Sequence, residues 1–283
     1  MKIAVTGATG QLGRIVVKKL KEKLGANGIF ALVRSIQKAA DLGVEIREAD
    51  YEKPATLGIA LQGIETLLLI SGSEVGKRVD QHKNVINAAK NAGVKKIVYT
   101  SLLHADISTL ELAAEHIATE GLLKSSGIPF TILRNGWYTE NYGGSISTAL
   151  STGAFYGSAG NGRISSAPRK DYADAIVAVV STDGHDGKVY ELAGDDAFTL
   201  SELAAEITKQ TGKSVSYTNL RPEEYAAALE KAGVPQGFIQ MLTGIDISIS
   251  KGDLFDNGHH LSTLIGRPTT SLTEVVTDLV KVG

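Results

Sequence analysis

The chain has no cysteine, which removes disulfides, thiolate nucleophiles and thiol-ligated metals together. It has no apolar run near the roughly 20 residues that a membrane span requires. It also lacks a surplus of either charge, since 29 Lys and Arg against 31 Asp and Glu leave a formal −2. Binding nucleic acid by bulk electrostatics needs a basic excess. A small-molecule ligand is therefore expected, with neither nucleic acid nor membrane as partner. No signal-peptide core precedes the first apolar segment, which points to the cytoplasm. Apolar residues make up 43% of the 283 positions, enough for an ample core and against disorder.

What is present is concentrated at the start. Ile3, Ala4 and Val5 read as a strand buried on both faces of a parallel sheet. Thr6 to Gly13 breaks it with Gly7, Gly10 and Gly13 three residues apart, and Leu12, Ile15, Val16, Leu20 and Leu24 follow at helical spacing. Glycines in such a strand-to-helix turn let backbone N–H groups reach a pyrophosphate, and the helix N-terminus adds partial positive charge aimed at the same anion. Gly13 would let the helix pack closely on the strand.

Ile29 to Val33 is the second strand and ends in Arg34. An acidic residue there would bond a ribose 2′-hydroxyl, whereas arginine accommodates a 2′-phosphate. Arg34, with Lys38 a turn later, favours NADP(H), the alternative being a surface arginine at a strand end. Ser35 is a candidate cap for a helix Ile36 to Leu42, and Val44 to Ile46 is a third strand. Asp50 suits either an adenine amino group or a turn or N-cap role. Thr66 to Ile70 is a fourth strand whose carboxyl end opens into the small residues Ser71, Gly72 and Ser73, where open α/β sheets bind ligands. In the helix Val79 to Asn91, His82 reads as a helix-face residue beside Val85, Ile86 and Ala89. Lys96 to Thr100 is a fifth strand. Beyond it, His104 and Asp106 are suited to acid–base work or to loop hydrogen bonds.

A helix over Glu111 to Ser125 leads to a sixth strand, Phe130 to Arg134, followed by Asn135-Gly136-Trp137-Tyr138-Thr139-Glu140-Asn141-Tyr142. That octet holds the single tryptophan of a chain only 6% aromatic, and flat side chains with polar handles suit a planar ring. Packing between domains is the alternative use of Trp137 and Tyr138. Later, Asp171 is a candidate cap for the helix Tyr172 to Val180, Val189 to Leu192 is a strand, and Thr199-x-x-Glu202 is a capping box. His259-His260 reads as a surface pair, and no metal site is expected. Alternating strands and helices with short connections give the fold class: α/β, a Rossmann-type doubly wound parallel sheet with a smaller C-terminal substrate domain. The expected domains are 1–135 for NADP binding and mainly 136–283 as substrate-binding lid, with elements of about 171–195 free to rejoin the first.

Several blocks carry a family resemblance: the glycine turn Val5 to Gly13, LLLISGSEVG (67–76), QHKNVINAAK (81–90), YTSLLHAD (99–106), LRNGWYTENY (133–142) and KVYELAGD (188–195). Together they resemble the NmrA-like, atypical short-chain dehydrogenases, in particular their bacterial NAD(P)H:quinone oxidoreductases, akin to the triphenylmethane reductases. The resemblance implies NADPH held by Gly7, Ala8, Thr9, Gly10, Gln11 and Leu12, by Arg34, by Ser73, Glu74, Val75, Gly76, Lys77 and Arg78 after Ser71, and by Asn135. Arg169 matches a family arginine near the site. A quinone would face Gly136, Trp137, Tyr138, Thr139, Glu140 and Asn141, and a homodimer stays open.

Ordinary short-chain dehydrogenases relay a proton through a tyrosine and a lysine four residues on, yet none of the nine tyrosines has lysine at that offset. His116 and Glu120 stand where the pair would sit. A quinone accepts hydride without that relay, with water or Tyr138 supplying protons. The expected activity is hydride transfer from NADPH directly to a quinone or similar planar acceptor. The alternative is a non-catalytic NADP(H) sensor that binds a regulatory partner.

Overall fold

The computed structural model describes residues 1–282. In chain order its elements are β1 (Ile3–Val5), α1 (Gln11–Leu24), β2 (Ile29–Val33), β3 (Glu45–Glu48), α2 (Pro54–Ala60), β4 (Thr66–Leu69), α3 (Arg78–Asn91), β5 (Lys96–Leu102), α4 (Ala113–Ser126) and β6 (Phe130–Asn135). There follow α5 (Gly143–Thr152), β7 (Ala154–Gly157), α6 (Arg169–Ser181), β8 (Val189–Leu192), α7 (Leu200–Thr211), β9 (Ser216–Asn219), α8 (Pro222–Lys231), α9 (Gln236–Ser250), α10 (His260–Ile265) and α11 (Leu272–Val282). Two compact units result. One comprises Met1–Asp106, Leu112–Asn135 and Arg169–Leu192; the other comprises Ile107–Glu111, Gly136–Pro168 and the chain from Ala193 on.

The first unit is a parallel sheet of seven strands in the order β3-β2-β1-β4-β5-β6-β8 with helices around it, an α/β Rossmann-type fold. Strands β1, β2 and β4 are buried throughout, as their unrelieved apolar runs require, while edge strand β3 is partly exposed. Helix α1 buries Leu12, Val16, Val17 and Leu20, the helically spaced stripe. On the other side Leu57, Leu61, Val85, Ala89 and Leu123 pack with Leu67, Leu69, Ile97 and Tyr99. The chain builds outward from β1 to β3 and then returns to place β4 on the other flank of β1. The carboxyl ends of β1 and β4 therefore flank the reversal point, where sheets of this kind open a crevice.

Three local expectations change. Residues Ile36–Ala39 make one 3₁₀ turn instead of a helix to Leu42, and Ser35 donates its hydroxyl to Gln37 Oε1 at 3.0 Å instead of capping. The third strand lies at Glu45–Glu48, where its polar residues suit an edge. Helix α6 starts at Arg169, directly after Pro168, so Asp171 sits fully buried in its first turn and is not its cap.

The second unit pairs β7 with β9 in a two-stranded parallel sheet and is otherwise helical. Its helix α7 opens with the expected capping box: Thr199 Oγ1 accepts from Glu202 N–H at 3.2 Å, and Glu202 Oε2 accepts from Thr199 N–H at 2.7 Å. Among the described residues no helix is long and apolar enough to cross a membrane.

Candidate functional site

At the reversal point the turn after β1 is shaped by what its glycines omit. Gly7 has φ +58°, a left-handed conformation that side chains resist. Its carbonyl accepts from Gly10 N–H at 2.9 Å, closing the turn. A Cβ on Gly13 would stand 2.2 Å from Gly7 O, so glycine is required for α1 to approach the turn. The cap residue Gly10 brings no side chain to the first N–H groups of α1, which as helix-start donors have no helical acceptor. Gln11 is exposed, Thr9 half-exposed, and Ala8 and Leu12 are buried beneath. An open cradle of main-chain donors at a helix N-terminus fits a pyrophosphate.

The turn after β4 is fixed in the opposite way, by side chains that take up its main chain. Ile70 N–H donates to Thr6 Oγ1 at 2.9 Å, and Tyr51 donates its hydroxyl to Ile70 O at 3.1 Å. Ser71 N–H donates to Thr100 Oγ1 at 2.9 Å. Gly72 is gripped at both ends: its N–H donates to His82 Nε2 at 3.0 Å, and its carbonyl accepts from Arg78 Nε at 2.8 Å. Because Nε2 accepts, the His82 proton sits on Nδ1, 3.0 Å from Thr119 Oγ1, which itself donates to Glu115 O at 2.9 Å. Burial, and then the nearby Arg78 charge, hold His82 down to about 3, so it is neutral. His82 is thus fully buried and bonded to the loop, not simply a helix-face residue. Sequence reasoning missed Tyr51, Thr100 and His82 as loop supports; the one signal was a histidine within an apolar helix stripe.

The following segment is charged. Arg34, exposed just past β2, donates from Nη1 to Glu74 Oε1 at 2.9 Å. Lys77 Nζ donates to Glu52 Oε1 at 2.9 Å and lies 3.6 Å from Glu74 Oε2. Ser73, Val75 and Gly76 are exposed, and Gly76 N–H donates to Glu115 Oε1 at 2.9 Å. Arg78 is buried at the first residue of α3, with Nη1 2.6 Å from Glu115 Oε2. The structure therefore brings Arg34, Glu74 and Lys77 together, and gives Arg78 to Gly72 and Glu115.

On α4, the positions of the missing relay serve the core. His116 Nδ1 lies 2.8 Å from Tyr99 OH, and burial holds it down to about 3. Glu120, fully buried, accepts from Ser101 Oγ at 2.7 Å and from Arg134 Nε and Nη2 at 3.0 and 2.9 Å. Arg134 Nη1 also reaches Asp106 Oδ1 at 2.8 Å and Glu191 Oε1 at 2.7 Å. Glu191 Oε2 accepts from His104 N–H at 2.8 Å. His104 and Asp106 thus make the loop bonds that were one of their two readings. Asp50 likewise makes a turn, its Oδ1 accepting from Glu52 N–H at 3.0 Å. Asn135 ends β6 and is buried, and Arg169 opens α6.

Gly136 to Asn141 belong to the second unit, where the stretch 165–168 steadies them. Ala167 N–H donates to Trp137 O at 3.2 Å, Thr139 N–H donates to Ala167 O at 3.1 Å, and Thr139 Oγ1 is 2.8 Å from Ser166 Oγ. Thr139 is buried; Gly136, Trp137, Tyr138 and Glu140 are half-buried, and Asn141 is exposed.

The model of the NmrA-like family matches residues 1–273. Quinone oxidoreductase 2 of Escherichia coli (strain K12) is 57% identical over 284 residues, which cover 99% of this chain and 99% of that protein. The crystal structure of the NADPH-dependent quinone oxidoreductase of Escherichia coli complexed with NADPH matches with a TM-score of 0.96 at 57% identity, covering 98% of this chain and 99% of that one. The Citrobacter sp. triphenylmethane reductase complexed with NADP(H) matches with a TM-score of 0.95 at 38% identity, covering 98% of this chain and 100% of that one. A glycine cradle at the sheet's reversal and full-length likeness to such relatives lead to one assignment: the chain belongs to the NmrA-like family.

Proposed function

We propose that this protein is a cytoplasmic NADPH-dependent quinone reductase acting on a small planar acceptor, with neither nucleic acid nor a membrane as its partner. One combination carries the reading: a glycine cradle beside Arg34, in a chain 57% identical along its length to a quinone oxidoreductase. In this reading the main chain of Gly7 to Leu12 holds the pyrophosphate, and Arg34 with Lys77 meets the 2′-phosphate. Ser71 and the segment Ser73 to Gly76 line the coenzyme's path, with Asn135 and Arg169 at its margins. Arg78 acts through Gly72, whose carbonyl it holds. When bound, NADPH supplies a hydride from its nicotinamide ring.

Gly136, Trp137, Thr139, Glu140 and Asn141 orient the acceptor around Tyr138, and alignment of this kind is worth up to about 7–11 kcal/mol. Tyr138 donates a proton from its phenolic oxygen to the reduced acceptor. His116 and Glu120 take no part: His116 Nδ1 is bonded to Tyr99 and both carboxylate oxygens of Glu120 to Ser101 and Arg134. Tyr138→Phe is expected to lower kcat with menadione about 10²-fold, the low end for a positioned acid, with an unchanged melting temperature. An unaltered kcat would assign the proton to water.

The reading as a whole is tested by following absorbance at 340 nm. Purified protein with NADPH should lose absorbance faster when menadione or benzoquinone is added. Coenzyme binding without any acceleration would favour the NADP(H) sensor.

A further inference from the structure

The carboxylate of Glu74 bridges two cations that have no other reason to meet. Its Oε1 takes the Arg34 guanidinium at 2.9 Å, and its Oε2 lies 3.6 Å from the Lys77 ammonium. Arg34 comes from the end of β2 and Lys77 from the residue before α3, so the bridge spans the outer end of the proposed coenzyme path. A carboxylate with one oxygen on each cation makes the same kind of contact as a phosphate monoester. All three side chains are substantially exposed, so the arrangement can open without disturbing the core. Lys77 is held above its ordinary range by its bond to Glu52 and by the charges of Glu52 and Glu74.

From this geometry we infer that Glu74 is an internal stand-in for the coenzyme's 2′-phosphate: it occupies Arg34 and Lys77 in the empty protein and is displaced when NADPH binds. The inference rests on the NADPH reading above and adds a specificity-determining residue to it. Both ligand and carboxylate compete for the same two cations, and only a ligand with its own anion at that place can replace the bridge. A coenzyme without the 2′-phosphate leaves Glu74 where it is. Glu74 thereby lowers affinity for NADPH while leaving NADH unaffected, and in the empty state it neutralises Arg34 beside a Lys77 that Glu52 also pairs.

The test is calorimetric and needs no turnover. Wild type, Glu74→Gln and Glu52→Gln would be titrated with NADPH, with adenosine 2′,5′-bisphosphate and with 5′-AMP at one ionic strength. Glu74→Gln should tighten the two 2′-phosphorylated ligands roughly two- to fivefold, the scale of an exposed ion pair, and leave 5′-AMP unchanged. Glu52→Gln removes the carboxylate nearer Lys77, at 2.9 Å, but leaves Arg34 closed by Glu74, so it should tighten the same ligands less than Glu74→Gln does. Weaker or unchanged binding of 2′-phosphorylated ligands by Glu74→Gln, with wild type binding normally, overturns the inference. Equal tightening in both variants does so too, because net charge would then account for the effect. No heat from wild type with NADPH would overturn the coenzyme reading itself.

Discussion

The turns after β1 and β4 end neighbouring strands, yet they are built by opposite means. The first owes its shape to missing side chains: Gly7 takes a left-handed φ, and Gly13 leaves room that a Cβ would fill. The second owes its shape to side chains from elsewhere, with Thr6, Tyr51, Thr100, His82 and Arg78 taking up the main chain of Ile70 to Gly72. The difference follows from what each must do. A turn that offers its own N–H groups to an anion has to keep them free, so it is held by backbone geometry. A turn that only has to stay in place can commit its polar groups to partners. One is a set of donors and the other a fixed wall.

The comparison breaks first at Gly13. Gly13→Ala places a methyl 2.2 Å from Gly7 O and 2.9 Å from Ala8 Cα. Both are backbone atoms, so α1 or the turn must move. A stability loss of about 2–3 kcal/mol is expected in denaturant titration, with NADPH affinity falling as the cradle shifts. Gly58→Ala is the matched control: it also lies within a helix, a Cβ there meets nothing within 4 Å, and alanine should stabilise by about 1 kcal/mol. A Gly13→Ala protein as stable as wild type would show that close helix approach is not what the glycine provides.

The same contrast explains what could be read from the sequence. The glycine turn is a local motif: its three glycines, the apolar strand before it and the helical stripe after it lie within one short stretch, so residues 3–20 were legible. The parallel sheet was legible because β1, β2 and β4 are apolar on both faces. The second turn was not, because its supports stand 6 to 64 residues away and most become neighbours only once the sheet forms. The octet after β6 was visible by composition, but what steadies it, the stretch 165–168, carries no signal of that role. The sheet of β7 and β9 escaped notice for a related reason: Ala154 pairs with Ser216 across intervening helices, both strands are only four residues long, and β9 is polar. Helix α5 was hidden by its Gly, Ser and Thr content, which favours turns when read locally.

A smaller change sharpens the comparison at His82. In His82→Leu the Gly72 N–H loses its acceptor, which costs about 1–3 kcal/mol where water cannot replace it. His82→Gln offers an amide oxygen at nearly the same place and should recover most of that loss. A merely space-filling histidine would give the reverse ranking, since leucine fills an apolar site better than glutamine does. Titration adds a second readout. Folding lowers the His82 pKa from 6.5 to about 3, so between those values the unfolded chain binds a proton that the native chain refuses. The His82 contribution is therefore complete above about pH 6.5 and declines as pH falls toward 3, by at most about 1.4 kcal/mol per pH unit. His116 follows the same course. Asp246, raised by burial to about 6, works against both as pH falls below 6, because its protonated form favours the native state. The difference between wild type and His82→Gln isolates His82: wild-type stability should fall more steeply from pH 6.5 to 4.5, and the gap between the two should narrow with acid. Parallel curves would mean that Gly72 is held in place without a neutral imidazole.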